Sequence, residues 1–342
     1  MEPPKSNDSL FDRRQWLKYG ALLGSTLGGL AASGQATAFP APASTLQRAA
    51  RQYAMKKSIN LWAFPYPGKM TLKECFELVR RAGFDGVEVN YNLEGDFSPV
   101  AGEKELREIR TMADRAGIAI SGVCSFLFWP YPLTANSERV RARSLEIASG
   151  MIRAAHYLGT ENVLVVPGAV YIPWLKESEE VPYKLCDERA RAAISKLLPE
   201  AEKMKVFLNI ENIFFNAYLM SPPDMTEFVD SFQNPHVRVH FDTGNIMPFQ
   251  FPEHWIPILG KRIKNIHFKE YTKKGTDFSL ESFRPLLDGT TNWPAVMESL
   301  DQIDYRGYLT FEYFHPFNHY PEALIYQASD ALDRMLGRVG RT

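Results

Sequence analysis

Val206-Phe-Leu-Asn-Ile-Glu211 is a short, mainly apolar run that ends in a carboxylate, and three later stretches have a similar form. They are Val237-Arg-Val-His-Phe-Asp242, Ile263-Lys-Asn-Ile-His267 and Tyr308-Leu-Thr-Phe-Glu312. The terminal residues are 31, 25 and 45 residues apart, and one strand with its return helix takes roughly 25 to 45 residues in an eight-fold α/β barrel. The sequence therefore predicts four barrel strands that each end in an acidic or imidazole side chain.

Successive side chains of a strand point to opposite faces, and this alternation separates the apolar residues of the four stretches from the polar ones. The apolar set would pack under the helices: Leu208, Ile210, Val237, Val239, Phe241, Ile266, Phe268, Leu309 and Phe311. The terminal residues share the opposite face with a deeper polar set: Asn209, His240, Asn265 and Thr310. An unpaired buried polar group costs about 1–3 kcal/mol, so a polar barrel interior indicates a function.

We interpret the four terminal residues as the ligands of one divalent metal ion: Glu211, Asp242, His267 and Glu312. We expect His240 to support Asp242 from behind. Such an oxygen-rich ligand set suits Mn²⁺, our first expectation, or Mg²⁺, with Co²⁺ and Zn²⁺ as alternatives. The alternative to a metal site is a set of unrelated polar residues that meet solvent at the rim of the barrel.

Composition favours one barrel and gives no sign of a charged partner. The chain has 342 residues, 45% of them hydrophobic, which suffices for a single catalytic domain over residues 56–342. Lys plus Arg (39) nearly balance Asp plus Glu (40), which does not recommend nucleic acid or an anionic membrane as a partner. Cys75, Cys124 and Cys186 are odd in number and lack Cys-x-x-Cys spacing, so they indicate neither a zinc ribbon nor a disulfide scaffold.

The first residues have the features of an export signal. Arg13 and Arg14 precede a weakly apolar stretch over 19–32, and Ala36-Thr-Ala38 has the form of a cleavage site. Residues 1–38 therefore resemble a twin-arginine signal peptide, residues 39–55 are interpreted as a linker, and we expect the protein outside the inner membrane. There are two alternatives to a cleaved signal peptide. One is an uncleaved anchor, which would be the protein's one contact with the membrane, and the other is a pair of arginines that occurs by chance.

From Lys56 onward, strand-like and helix-like segments alternate, which favours a parallel sheet. The predicted strands lie near 57–63, 84–90, 118–125, 161–167, 205–211, 236–242, 263–269 and 308–313. The first predicted helix begins at a capping box formed by Thr71 and Glu74. The later predicted helices lie near 103–116, 138–158, 186–204, 222–232, 253–260, 293–303 and 321–337. Eight strands with helices between them predict a (β/α)8 TIM barrel.

Six stretches together carry a family resemblance over about residues 57–335. They are Gly83-Phe-Asp-Gly-Val-Glu-Val, Asn209-Ile-Glu-Asn, His240-Phe-Asp-Thr-Gly-Asn245, Ile266-His-Phe-Lys269, Leu286-Leu-Asp-Gly-Thr-Thr-Asn-Trp-Pro and Gly307-Tyr-Leu-Thr-Phe-Glu312. In this order they resemble the sugar isomerase/epimerase superfamily with a xylose isomerase-like barrel. The resemblance implies that the four predicted ligands hold the metal and that Glu211 and Glu312 also transfer protons. Asn245 stands where ketose 3-epimerases usually have histidine, and this form is more similar to the pentulose-phosphate epimerase branch.

The chemistry explains the residue types. Removal of a proton beside a carbonyl leaves an enediolate, whose charge a divalent ion neutralises while a carboxylate acts as the base. We therefore predict isomerisation or epimerisation of a ketose-like sugar or sugar derivative. The alternatives are a metal-dependent lyase or dehydratase acting on a 3-keto-glycoside or an inosose, and a non-catalytic carbohydrate-binding barrel. The Asp-Thr-Gly-Asn245 motif favours a phosphorylated substrate, whereas export favours a free sugar.

Other residues at predicted strand ends are candidates for binding the small-molecule sugar. They are Lys269, Asn245, Trp62, Phe126 and Glu88. For the aromatic residues the alternative is loop packing, and for Lys269 it is a structural ion pair. The sequence leaves open whether the protein forms a homo-oligomer.

Overall fold

The computed structural model describes residues 52–214, 218–274, 279–314 and 316–338. Its strands in chain order are β1 (Lys56–Asn60), β2 (Gly86–Asn90), β3 (Ala119–Cys124), β4 (Asn162–Val165), β5 (Phe207–Glu211), β6 (Val237–Asp242), β7 (Ile263–Phe268), β8 (Glu270–Tyr271), β9 (Phe283–Arg284) and β10 (Tyr308–Phe311). Strands β1 to β7 are parallel neighbours in sequence order, and β10 pairs with both β7 and β1. The barrel is thus closed, and the predicted TIM-barrel fold is confirmed.

Helices follow the barrel strands. They are α1 (Leu72–Arg81), α2 (Glu103–Ala116), α3 (Glu138–Leu158), α4 (Tyr183–Met204), α5 (Pro222–Asp230), α6 (Pro252–Leu259), α7 (Trp293–Gln302) and α8 (Glu322–Met335). The predicted capping box of α1 is present, because the Thr71 hydroxyl accepts from Glu74 N while the Glu74 carboxylate accepts from Thr71 N. Helix α4 starts three residues earlier than expected, directly after Pro182, whose non-helical ψ of 136° marks the N-cap.

A small hairpin of β8 and β9 was not predicted. Glu270 and Tyr271 pair antiparallel with Arg284 and Phe283 at the carboxyl end of β7. Each strand has two residues, which is too short for the alternation of apolar and polar residues to show in a sequence. The hairpin brings Phe283 over the mouth of the barrel, 5.0 Å from Lys269 Nζ.

The predicted division between the two faces of the strands is confirmed. The outward apolar residues Leu208, Ile210 and Phe241 are completely buried in the main hydrophobic core. The inward column of Asn209, His240, Asn265 and Thr310 is also buried. The barrel axis is therefore polar, and the helices supply the apolar packing.

The predicted signal peptide and most of the predicted linker lie outside the described residues, so the export signal stays a prediction. Among the helices that the structure describes, none has the length and apolar character needed to cross a bilayer. Cys75, Cys124 and Cys186 are free thiols, all buried. This agrees with the expectation that cysteine pairing does not hold the domain together.

Candidate metal centre

The four predicted ligands come together at the carboxyl end of the barrel. Glu211 ends β5, Asp242 ends β6, His267 lies one residue before the end of β7, and Glu312 follows β10. Asp242 and His267 are direct partners in the register of β6 and β7. One ligand atom from each of the four residues lies within 4.8 Å of the others, and all four residues are buried.

The imidazole is at the centre of this cluster. His267 Nδ1 lies 3.5 Å from Glu211 Oε1, 3.8 Å from Asp242 Oδ2 and 3.3 Å from Glu312 Oε2. Neither Nδ1 nor the oxygens of Asp242 and Glu312 that face it has a hydrogen bond of normal geometry. Lys269 is the charged partner of the Asp242 and Glu312 oxygens, so His267 Nδ1 is the buried atom of this set that lacks a partner among the described residues. A divalent cation at this point would bind three carboxylates and one imidazole at once. The donor set therefore fits a resident metal ion.

Backbone groups fix the orientation of Asp242. Its Oδ1 accepts hydrogen bonds of 2.8 Å from the backbone N–H groups of both Gly244 and Asn245, which leaves Oδ2 to face the cluster. Asn212 brackets the same residue, because its side chain accepts from Asp242 N and donates to Asp242 O. Asn245 in turn donates to Asn212 O. Sequence reasoning missed Asn212, although it directly follows Glu211 in one of the stretches that carry the family resemblance.

Sequence reasoning suggested that Glu88 contacts the sugar, but in the structure Glu88 contacts His267. It is fully buried, and its Oε2 lies 2.5 Å from His267 Nε2. The same oxygen accepts a hydrogen bond of 2.7 Å from Asn60 Nδ2. Glu88 therefore contacts the side of the imidazole opposite to the ligand cluster, which is the usual place for a carboxylate that orients a metal-binding histidine.

His240 contacts His267, a contact that sequence reasoning did not predict. The two ring centroids are 4.1 Å apart at an interplanar angle of 71°, and neither nitrogen of His240 has a hydrogen-bond partner within the described residues. Burial, followed by the positive charges of His267 and Lys269, lowers the pKa of His240 well below its ordinary value. His240 is therefore a neutral ring behind His267, whereas sequence reasoning placed it behind Asp242.

Lys269 lies beside the cluster as its nearest permanent cation among the described residues. Its Nζ is 2.9 Å from Asp242 Oδ2, also contacts Glu312 Oε2, and donates to Asn245 Oδ1 at 3.3 Å. Although burial opposes the charged form, Asp242 and Glu312 raise the pKa of Lys269. The structural ion pair, the alternative to substrate binding by Lys269, is therefore present.

Without a bound cation, the pKa values of Glu211 and Glu312 shift in opposite directions. Burial raises the pKa of Glu211 to about 7, against the opposing effect of His267. Burial alone would also raise the pKa of Glu312, but His267 and Lys269 outweigh it and lower this pKa to about 2. Without a bound cation, Glu211 therefore holds a proton more readily than Glu312 does.

Aromatic rings surround the mouth above the cluster. Trp62 and Phe126 are 4.1 Å apart, and each lies within 5.2 Å of Phe314, which sequence reasoning missed. Phe314 and Phe283 each lie 5.0 Å from Lys269 Nζ. The two substrate-contact candidates Trp62 and Phe126 thus belong to one aromatic group that borders the ligand cluster.

Comparisons with known proteins agree with this fold. The family model of xylose isomerase-like TIM barrels matches residues 76–335. An L-ribulose-5-phosphate 3-epimerase of Escherichia coli O1:K1 / APEC is 23% identical over 270 residues, which cover 78% of this chain and 90% of that protein. A structure of L-ribulose 3-epimerase superposes with a TM-score of 0.68 at 18% identity, over 83% of this chain and 96% of that one. A 3-keto-D-glucoside 4-epimerase of Escherichia coli superposes with a TM-score of 0.63 at 15% identity, over 82% and 98%.

The family match covers most of the barrel and includes all four predicted ligands. The closed ring of parallel strands is the fold that this family model describes. The chain therefore belongs to the xylose isomerase-like TIM barrel family.

Proposed function

We propose that this protein is a divalent-metal-dependent epimerase or isomerase of a ketose-like sugar or sugar derivative. The observation that carries the proposal is the convergence of Glu211, Asp242, His267 and Glu312 on one point, with ligand atoms within 4.8 Å of one another. Relatives and structural neighbours that are sugar epimerases support the same reaction class. A divalent ion bound by these residues would act as a Lewis acid and neutralise the charge of an enediolate.

Glu211 and Glu312 are the residues that we propose to move the proton. Glu211 ends β5 and Glu312 follows β10, and β6 and β7 lie between these strands in the barrel, so the two glutamates would approach a bound sugar from different directions. A base on one side of a planar intermediate and an acid on the other invert a carbon centre. One glutamate alone supports transfer between neighbouring carbons, which is isomerisation.

The remaining residues would bind and orient the sugar. We propose that Lys269 and Asn245 contact its oxygens and that Trp62 and Phe126 pack against its apolar face. Glu88 and His240 would act on His267 instead of on the sugar, because both are buried behind the imidazole. Mn²⁺ remains the proposed metal, since three oxygen donors and one nitrogen suit it.

We propose a substrate without a phosphate group. The rings of Trp62, Phe126, Phe283 and Phe314 border the cluster, and aromatic walls bind the uncharged face of a sugar better than a dianion. The proposed export of the protein through residues 1–38 agrees with this choice. If replacing Arg13 and Arg14 by lysine leaves the distribution between cell fractions unchanged, the export proposal is wrong.

The reaction is tested by incubating Mn²⁺-loaded enzyme in D₂O with free ketoses, sugar phosphates and 3-keto-glycosides, followed by NMR. The proposal predicts deuterium beside the carbonyl and a product of unchanged formula apart from the label. Loss of water or an alcohol would instead identify the lyase. Glu211→Gln and Glu312→Gln should each abolish exchange, whereas Glu161→Gln, a surface change at the opposite end of the barrel, should not. Exchange that survives both site variants contradicts the proposed mechanism.

A further inference from the structure

A cavity of about 300 Å³ lies between the loops that follow β3 and β4. Trp129 forms one wall, Leu175 and Ile172 supply apolar surface, and Lys176 and Glu177 lie at its edge. None of these residues belongs to the metal centre. The volume is at the lower end of the range for small-molecule sites, which run from about 300 to 1,000 Å³.

Aromatic contacts connect this cavity to the metal centre from two sides. Trp129 directly follows the short 3₁₀ helix Phe126–Phe128 and donates its backbone N–H to Phe126 O, so the cavity wall is one turn from the aromatic group at the mouth. On the other side, Trp129 packs edge-on against Trp174 at 5.0 Å.

From Trp174 the row of rings returns to the metal centre. Trp174 lies 6.1 Å from Phe214, and Phe214 lies 5.1 Å from Phe283. Phe283 is the ring 5.0 Å from Lys269 Nζ. A row of packed aromatic rings therefore links the cavity wall to the residues beside the candidate ligands.

The chemistry of the cavity fits a neutral sugar ring. Trp129, which lines the cavity, is partly exposed, and an indole face packs well against the apolar face of a pyranose. Lys176 and Glu177 are exposed, and within the described residues neither makes a hydrogen bond or ion pair. One free donor and one free acceptor suit hydroxyl groups, and their opposite charges give no preference for an anion.

We propose that this cavity is a second sugar-binding subsite, which holds the neighbouring ring of a glycoside whose keto sugar occupies the metal centre. The inference rests on the proposed function, because it takes the metal centre as the first subsite. It narrows the substrate class from ketose-like sugars in general to neutral glycosides of at least two rings.

The test is a titration of the full-length protein, followed by tryptophan fluorescence, with glucose and with glucose disaccharides of each α and β linkage. We expect at least one disaccharide to bind at least about tenfold more tightly than glucose, with a change in indole emission. Trp129→Ala should remove this advantage. Tyr171→Ala, which changes an exposed aromatic residue of the same loop outside the cavity lining, should keep it.

A second variant, with both Lys176→Ala and Glu177→Ala, keeps the test valid if Trp129→Ala does not fold. Both of its changes are at exposed side chains, so we expect it to fold normally. It should weaken disaccharide binding severalfold and leave glucose binding unchanged. Equal affinities for glucose and every disaccharide would overturn the subsite, as would an advantage that survives in folded Trp129→Ala protein. Disaccharide binding without deuterium exchange on any 3-keto-glycoside or ketose would contradict the proposed function and leave the subsite standing. Deuterium exchange without tighter binding of any disaccharide would overturn the subsite and leave the proposed function standing.

Discussion

Glu88 Oε2 and His267 Nε2 lie 2.5 Å apart in a fully buried pair, on the side of the imidazole away from the other three candidate ligands. A carboxylate in this place fixes the orientation and tautomer of the ring and increases the basicity of the ligating nitrogen. Glu88 is thus joined to the metal centre through His267, although it is too deeply buried to line an open pocket.

We predict that Glu88→Gln weakens metal binding by roughly 10- to 100-fold, the usual cost of losing such a partner. Isothermal titration of the metal-free protein with Mn²⁺ measures the change. Glu161→Gln serves as the control, because that exposed carboxylate pairs only with Lys264 among the described residues. An affinity of Glu88→Gln equal to that of the unchanged protein would show that the contact does not orient the ligand.

Metal affinity should rise with pH. In the metal-free site the pKa of Glu211 is raised to about 7, and the pKa of His267 is raised well above its ordinary value by Glu312 and Glu88 despite burial. A metal must displace these protons, so below pH 7 its apparent affinity should increase by roughly ten- to a hundredfold per pH unit. Above pH 7 the Glu211 contribution ends, because that group is already ionised. Titrations between pH 5.5 and 8 check this, and a flat profile would contradict it.

Lys269 should compete with the metal for two carboxylates. Its Nζ contacts Asp242 Oδ2 at 2.9 Å and also reaches Glu312, and the oxygens concerned are the ones that face His267. We predict that Lys269→Met tightens Mn²⁺ binding by about tenfold, since a neighbouring positive charge is removed, while turnover falls. Lys264→Met, at the opposite end of β7, is the matched control. Weaker metal binding in Lys269→Met would mean that the amine stabilises the ligand set.

Gly289 packs against a buried carboxylate that organises the loop before α7. Glu270 accepts hydrogen bonds from Thr291 Oγ1 and Trp293 Nε1, both at 2.6 Å. A Cβ at position 289 would lie 2.2 Å from Glu270 Oε1, so Gly289→Ala should lower the free energy of unfolding by about 1–3 kcal/mol. Denaturant unfolding measures the loss. Gly68→Ala, where a Cβ meets open space, should change stability by much less, and equal effects would contradict the packing argument.

The sequence predicted the barrel and the convergence of the four candidate ligands, because both follow from strand periodicity. Apolar residues on one face and a terminal polar residue on the other are visible in Val237-Arg-Val-His-Phe-Asp242 without any structure. The partners of these ligands depend on pairing between distant strands, which periodicity does not report. Glu88 and His267, for example, are 179 residues apart in the chain.

Loops and very short elements were harder to predict for a related reason. The two-residue strands β8 and β9 have no alternation to detect, and Phe314 lies beyond the last strand, where side-chain direction depends on the loop. The cavity beside Trp129 needs the loops after both β3 and β4 to be placed together. Such features are set by tertiary packing instead of by local pattern.

The central claim is that Glu211, Asp242, His267 and Glu312 hold one divalent metal ion. Its most direct test is the metal content of the purified protein by inductively coupled plasma mass spectrometry after exchange into Mn²⁺ and removal of free ion. We predict about one equivalent in the unchanged protein and less than about one tenth in Asp242→Ala and in His267→Ala, as expected when a ligand of a four-residue site is lost. Full loading of both variants would contradict the claim.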